Sequence, residues 1–252
     1  MKPLYVLLVL PLLIVAQEYE KHRFESTKGE GVLPFRLLLP KNYNPKKKYP
    51  LLVFLHGAGE RGLDNELQLT HGSRLFLTPD NRKNFPVIVA FPQCPENSYW
   101  AKIAARNPFR FHKEKPINPQ LDLLEEWLAV MQEKYPVQSD QIYVGGLSMG
   151  GMGTLELLYR NPTKFAAAFA ICGGVDPSWA EQIQHTPLWL FHGKLDAVVS
   201  YQFSADLHEA LVKKNAPVKF KSYPNYNHNS WDAAFQEPDF LSWLLIHKRT
   251  SP

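Results

Sequence analysis

The sequence predicts a single α/β domain built on a mainly parallel β-sheet with helices on both faces. Short apolar runs alternate along the chain with longer stretches of helical periodicity, which is the pattern of βαβ units. The middle runs are continuously apolar, as expected for strands that helices cover on both faces. A length of 252 residues suits one domain of this class, and no internal repeat or change of composition divides the chain.

Seven apolar runs are predicted to be strands. They span residues 35–39, 51–55, 87–91, 142–145, 166–171, 188–191 and 218–222. Helices are predicted where apolar residues recur at steps of three and four, in 121–135, 203–211 and 240–245. Pro238 suits the first turn of the last helix, and a further helix is expected over residues 154–159.

Residues 1–16 have the features of a secretory signal peptide. A positive start is followed by an almost wholly apolar stretch, 4–16, which is shorter than the roughly 20 residues that a membrane-spanning helix needs. We expect cleavage after Ala16, leaving residues 17–252 as one domain that is secreted or periplasmic and not stably inserted in a membrane. An uncleaved membrane tether is the alternative.

Charge and cysteine content argue against a nucleic-acid partner and against a metal site. The net charge is +4, and the compact basic run at 46–48 lies between two prolines before a predicted strand, where a solvated turn is expected. A nucleic-acid binder would spread Lys and Arg over a whole face. Cys94 and Cys172 have no metal-ligand spacing, and each follows a predicted strand, so buried free thiols are expected.

Two long polar segments, 57–86 and 93–119, match neither the strand nor the helix pattern. Both leave the carboxyl ends of predicted parallel strands, the edge at which open α/β sheets bind ligands. Loops of this length in a compact domain tend to be functional. We therefore expect substrate contacts from these segments, with His71 and His112 among the candidates.

The sharpest motif is Gly-x-Ser-x-Gly at residues 146–150, which contains Ser148. It stands between an apolar strand and a helix, where a nucleophilic serine needs a very tight turn and small neighbours on both sides. A glycine-rich turn that merely contains a serine is the plainer interpretation, but the strand–turn–helix context favours a nucleophile. Ser148 is therefore the predicted nucleophile.

A serine nucleophile needs a base and an acid that orients it. In α/β enzymes with this motif the chain order is Ser, then Asp or Glu, then His, and the sequence supplies Asp196 after the strand 188–191 and His228 after the strand 218–222. Asp176, after the preceding strand, is the alternative acid. His56 and His192 each precede a glycine at a strand end and are expected to hold loop geometry.

Acyl transfer also needs donors for the developing oxyanion. The backbone N–H of Met149, directly after the nucleophile, is one candidate. The second is expected in the turn after strand 51–55, where we favour the N–H of Ala58, with Gly59 as the alternative. Glu60 and Arg61 could brace this turn by an ion pair.

Several segments resemble small bacterial esterases of the α/β-hydrolase fold. They are 55–62 (LHGAGERG), 91–95 (FPQCP), 146–150 (GLSMG), 171–174 (ICGG) and 192–196 (HGKLD). The similar proteins include feruloyl and acetyl-xylan esterases of carbohydrate esterase family one, dienelactone-hydrolase-like carboxylesterases and relatives labelled as peptidases. The resemblance runs from about residue 35 to the C-terminus. It implies a catalytic domain at 17–252, the same roles for Ser148, Asp196 and His228, and no metal or organic cofactor.

The expected function is that of a secreted serine carboxylesterase acting through an acyl-enzyme. Feruloyl or acetyl esters of plant polysaccharide, as small molecules or polymer-linked, are the expected substrates, and Trp100 and Trp231 are candidates to contact a planar aryl or sugar group. Dienelactone hydrolases proper use a cysteine nucleophile, so Ser148 argues against that activity. A serine peptidase of the same fold and a catalytically idle carbohydrate-binding protein are the alternatives.

Overall fold

Ten strands and seven helices are found in the computed structural model, which describes residues 18–29, 31–106 and 108–249. The strands are β1 (Glu20–Glu25), β2 (Val32–Leu38), β3 (Tyr49–Leu55), β4 (Ile88–Pro92), β5 (Ile103–Arg106), β6 (Phe109–Phe111), β7 (Val137–Leu147), β8 (Ala167–Ile171), β9 (Leu188–Gly193) and β10 (Val218–Tyr223). The helices are α1 (Pro79–Asn84), α2 (Pro119–Lys134), α3 (Met149–Arg160), α4 (Ala180–Ile183), α5 (Tyr201–Lys213), α6 (Trp231–Ala234) and α7 (Phe240–Ile246).

The central sheet has the strand order β1-β2-β4-β3-β7-β8-β9-β10 within the described ranges. β1, β2 and β4 pair antiparallel, whereas all pairs from β4 to β10 are parallel. The prediction of a single α/β domain with a mainly parallel sheet is therefore confirmed. All seven predicted strands form, with β7 considerably longer than predicted. The predicted signal peptide, residues 1–16, lies outside the described residues.

Each face of the sheet carries its own apolar core because successive side chains of a strand point to opposite faces. In β3, Val53 packs with the buried residues of α2, α3 and α5, while Phe54 packs with those of α6 and α7. Aromatic rings fill the second core: Phe54 stacks on Phe91 at 4.7 Å, and Trp189 lies 4.7 Å from Phe191. Helices therefore cover both faces, as predicted.

The two long segments at the carboxyl edge of the sheet contain regular secondary structure that was not predicted from their sequences. Residues 57–86 contain three short 3₁₀ turns and α1, and residues 93–119 contain the antiparallel hairpin β5–β6.

Cys94 and Cys172 are buried free thiols, as predicted. Cys94 follows β4 and Cys172 follows β8, and two strands lie between β4 and β8 in the sheet. Over the described ranges, none of the helices has the length and apolarity needed to cross a membrane.

Candidate active site

Ser148 lies in a strained turn between β7 and α3. Its φ of 52° and ψ of −118° are unfavourable for a residue with a side chain. The strand and the helix approach so closely that a Cβ on Gly150 would overlap the carbonyl of Leu55 and lie 2.7 Å from that of His56. The glycines flanking Ser148 therefore allow the turn that presents its hydroxyl at the carboxyl edge of the sheet.

Three residues that are far apart in the sequence meet at this edge. Ser148 Oγ lies 2.9 Å from His228 Nε2, and His228 Nδ1 lies 2.8 Å from Asp196 Oδ2. Asp196 follows β9 and His228 follows β10, so neighbouring parallel strands deliver both side chains to the same edge. The Asp196 side chain is fully buried, whereas 19% of the His228 side chain is exposed. The hydroxyl, imidazole and carboxylate thus form one continuous hydrogen-bonded chain.

Asp196 is held as a carboxylate by donors on both of its oxygens. Oδ1 accepts from the N–H groups of Val198 and Val199 at 2.9 and 2.8 Å, and Oδ2 faces His192 Nε2 at 3.1 Å as well as His228. Burial alone would raise the pKa of Asp196. The hydrogen bonds from His192, His228 and Val199 outweigh burial and lower this pKa well below its usual range.

Asp176, the alternative acid, is not hydrogen-bonded to His228. Asp176 caps a short 3₁₀ turn by accepting from the N–H of Ser178 at 3.0 Å, and it is Asp196 that reaches His228. His192 has a larger role than the loop geometry expected of it, because it contacts Asp196 directly. The i, i+4 spacing of these two residues in HGKLD is the signal that could have revealed this contact.

Both predicted oxyanion donors flank the nucleophile. Met149 opens α3 directly after Ser148, and Ala58 opens the 3₁₀ turn Ala58–Glu60 directly after β3. A Cβ built on Gly57, the N-cap of this turn, would lie 3.7 Å from Cβ of Ser148. The start of the turn Ala58–Glu60 is therefore adjacent to Ser148.

Arg61 fixes this turn, although not through Glu60. Its Nε donates to the carbonyl of Ala58 at 2.9 Å, and its Nη1 donates to the carbonyl of Glu96 at 2.8 Å. The carboxylate of Glu60 faces His71, with 3.8 Å between Oε1 and Nε2. The Glu60–Arg61 ion pair suggested by the sequence is thus wrong: Arg61 braces the turn through backbone carbonyls, and Glu60 is left free to face another segment.

The two tryptophans predicted to contact substrate differ in position. Trp100 is fully buried, edge-on to His56 at 5.5 Å and packed against Gly153, so the prediction of a substrate contact is wrong for this residue. Its large apolar surface instead anchors the 93–119 segment onto α3. Trp231 is half-buried, with its ring edge-on to that of His228 at 5.6 Å, at the mouth of the site.

One group of side chains at this site has the composition of a metal site. Ligand atoms of Cys172, Asp196 and His228 lie within 4.8 Å of one another. Asp196 and His228 are already hydrogen-bonded to each other, and burial together with the nearby charge of Asp196 raises the pKa of the Cys172 thiol. A thiolate, the form that binds metals, is therefore strongly disfavoured, and the arrangement suits proton transfer better than metal binding.

Comparison with known proteins gives the family context of this geometry. The model of the family described as phospholipase/carboxylesterase matches residues 43–244. Mouse lysophospholipase-like protein 1 is 24% identical over 210 residues, covering 77% of this chain and 85% of the relative. Acyl-protein thioesterase 1 of Candida albicans is 25% identical over 198 residues, covering 71% and 84%.

Among solved structures, a thermostable esterase is 34% identical, with a TM-score of 0.85 over 94% of this chain. The chain spans 64% of that esterase's length. A ferulic acid esterase of carbohydrate esterase family one from Anaeromyces mucronatus is similar in fold, with a TM-score of 0.66 at 18% identity, covering 88% of this chain and 89% of the esterase.

Proposed function

The chain belongs to the phospholipase/carboxylesterase family and is an ester-hydrolysing α/β-hydrolase, and from this premise we propose that Ser148, His228 and Asp196 form its catalytic triad. The observation that carries the proposal is the hydrogen-bonded chain from Ser148 Oγ through His228 to Asp196 Oδ2, with distances of 2.9 and 2.8 Å. The strained backbone of Ser148 adds support, because such strain persists where a function requires it.

In the proposed mechanism, His228 Nε2 takes the proton of Ser148 as Oγ attacks the ester carbonyl. Asp196 accepts the Nδ1–H hydrogen bond, so it keeps the imidazole in the tautomer whose Nε2 is free to accept. The imidazolium then gives the proton to the leaving alcohol, which departs and leaves Ser148 acylated. Water activated by the same imidazole hydrolyses the acyl-enzyme. A protonated His228 cannot accept the proton, so activity falls at acid pH.

The tetrahedral intermediate places negative charge on the former carbonyl oxygen. The N–H groups of Met149 and Ala58 are the proposed donors to this oxygen, and each well-placed donor of this kind is worth about 3–4 kcal/mol in the transition state. Arg61 acts as a positioning residue in this scheme. Its bonds to the carbonyls of Ala58 and Glu96 hold the turn next to Ser148.

For the substrate, we propose acetyl or feruloyl esters of plant polysaccharide. Support comes from the fold shared with a ferulic acid esterase and from a 73-residue match, 36% identical, to a bifunctional acetylxylan esterase/xylanase of Neocallimastix patriciarum, which covers 29% of this chain and 11% of that protein. The acyl-protein thioesterase relatives favour a second candidate, hydrolysis of acyl thioesters on proteins. The two candidates differ in the bond that is cleaved, an oxygen ester or a thioester.

The test combines active-site labelling with a substrate panel. A fluorophosphonate probe should label the wild type and leave folded Ser148→Ala unlabelled. Methyl ferulate and acetylated xylan should be cleaved faster than palmitoyl thioesters and peptides if the carbohydrate-ester proposal holds, and the reverse order would favour the thioesterase or the peptidase. A folded wild type that binds xylan, resists the probe and cleaves nothing would instead be an idle carbohydrate-binding protein.

We further propose that the protein is exported, on the basis of residues 1–16. Expression of the full chain with a C-terminal tag should give a product that begins at Gln17 and is found outside the cytoplasmic fraction. An intact Met1 on a protein that stays with the membrane would support a tether, and an intact, unanchored protein would overturn export.

A further inference from the structure

A polar pair lies beside the proposed nucleophile and takes no part in the mechanism above. Glu60 belongs to the turn Ala58–Glu60, and its side chain is only 13% exposed. The position where a side chain at Gly57 would begin lies 2.9 Å from Glu60 Oε2 and 3.7 Å from Ser148 Cβ, so the carboxylate is close to the nucleophile. Oε2 is buried and has no hydrogen-bond partner among the described residues.

The second member of the pair is His71, whose side chain is 32% exposed. Its Nε2 lies 3.8 Å from Glu60 Oε1, which is too far for a hydrogen bond. A hydroxyl group between the two would donate to the carboxylate and accept from the imidazole N–H, because a hydroxyl is both donor and acceptor. Because Glu60 Oε1 and His71 Nε2 do not hydrogen-bond each other, both keep the capacity to bind a hydroxyl that approaches them from one side.

Aromatic contacts place this pair on the His228 side of Ser148. The His71 ring lies 5.0 Å from the ring of Trp231, and the Trp231 ring lies 5.6 Å from that of His228. In the proposed mechanism His228 hands its proton to the leaving alcohol, so the alcohol part of the ester must lie on this side. Under that mechanism, Glu60 and His71 lie on the leaving-group side of Ser148.

Resting on the proposed function, we propose that Glu60 and His71 form a leaving-group subsite that binds a free hydroxyl of the alcohol, so that the enzyme selects esters of polyols or sugars. The half-buried Trp231 supplies an apolar face for the carbon skeleton of such an alcohol. A hydroxyl that donates to Oε1 of this largely buried carboxylate makes a charge-assisted hydrogen bond, and an alcohol without the hydroxyl forgoes that bond.

The experiment compares two acetate esters of equal size, 2-hydroxyethyl acetate and propyl acetate, which differ by one hydroxyl in place of a methyl. Wild-type kcat/KM should be about 10- to 100-fold higher for the hydroxylated ester. In Glu60→Met this ratio should fall close to one, whereas the exposed-residue control Glu114→Met should keep the wild-type ratio. An unchanged ratio in Glu60→Met, or a wild-type ratio near one, overturns the subsite.

Two further readouts keep the outcome clear. If Glu60→Met folds poorly or is too slow to give a ratio, His71→Phe gives it, because His71 lies outside the turn that flanks Ser148; a ratio that stays at the wild-type value again overturns the subsite. Failure of the proposed function looks different, since the wild type would then resist the fluorophosphonate probe and cleave neither ester.

Discussion

Replacing Asp196 by Asn tests whether the buried carboxylate sets the tautomer of His228. Val198 and Val199 donate to Oδ1, so the amide oxygen of Asn must stay on that side. The amide nitrogen then takes the place of Oδ2 and points its hydrogens at His228 Nδ1. The imidazole then adopts the tautomer in which Nδ1 accepts a hydrogen bond and Nε2 carries the proton. A protonated Nε2 cannot accept the proton of Ser148.

The size of the effect follows from this inverted tautomer. Four donors converge on the two oxygens of Asp196, and the substitution reverses the polarity of the contacts to His228 and His192 without changing the size of the side chain. We expect kcat to fall by about 10⁴-fold, equal to about 5.5 kcal/mol of transition-state stabilisation. Stability should fall as well, because buried His192 Nε2 would face the amide hydrogens of the Asn and keep only the carbonyl of Val199 as an acceptor.

The assay is steady-state hydrolysis of p-nitrophenyl acetate, together with circular dichroism and a urea melt to show that the variant is folded. The matched control is Asp176→Asn, the same chemical change at the rival acid, which should keep kcat within about twofold of the wild type. Asp196→Asn with activity within tenfold of wild type, or a large loss in Asp176→Asn, would refute the assignment of the acid.

Three other predictions concern the surroundings of the site. Arg61→Lys should lower kcat by about 10- to 100-fold with little change in melting temperature, because one ammonium group cannot hold the carbonyls of both Ala58 and Glu96 in place. Gly150→Ala should abolish folding or cost more than about 3 kcal/mol in a urea melt, since its Cβ would meet backbone, while Gly29→Ala, with open space around it, should be near neutral. Burial raises the pKa of Glu156 to about 7, although hydrogen bonds from the Lys102 N–H and from Asn118 lower it in part. The folded state therefore holds this proton more tightly than the unfolded state. Wild-type stability should fall relative to Glu156→Gln by up to about 3 kcal/mol as pH rises from about 4.5 to 7. Equal pH slopes for the two proteins in urea melts would contradict this last prediction.

The elements that could be predicted from the sequence are those whose own residues show whether they are buried. Residues 51–55 of β3, 88–91 of β4, 167–171 of β8 and 188–191 of β9 are apolar throughout because both faces of each strand are covered, and such runs predict buried strands. The positions of Ser148, Asp196 and His228 follow from the same logic, since each stands within a few residues of a parallel strand's carboxyl end. Parallel pairing alone then brings the three side chains to one edge.

Features that depend on contacts with distant segments of the chain were not predicted from the sequence. β1 has the sequence EKHRFE, in which only Phe24 is buried, and it exists as a strand because its backbone pairs with β2 at the edge of the sheet. Trp100 stands in a polar, proline-rich segment that suggests an exposed aromatic residue, yet it is buried because Gly153 leaves room for it on α3. A pattern confined to one segment cannot show such a contact between two segments.

The turn Ala58–Glu60 carries both a proposed oxyanion donor, Ala58, and a carboxylate, Glu60, and these have opposite effects on a negative charge. Glu60 belongs to the same short turn as Ala58, the proposed oxyanion donor, so a negative charge on its carboxylate opposes the oxyanion. Burial raises the pKa of Glu60, whereas a charged His71 would lower it. A substrate hydroxyl that donates to this carboxylate draws its charge away from the oxyanion at the moment of reaction. An ester of a polyol would therefore gain in the acylation transition state as well as in binding. The two acetate esters share one acetyl-enzyme, so the selectivity expected of the subsite should show in the single-turnover rate of acyl-enzyme formation and not in binding alone.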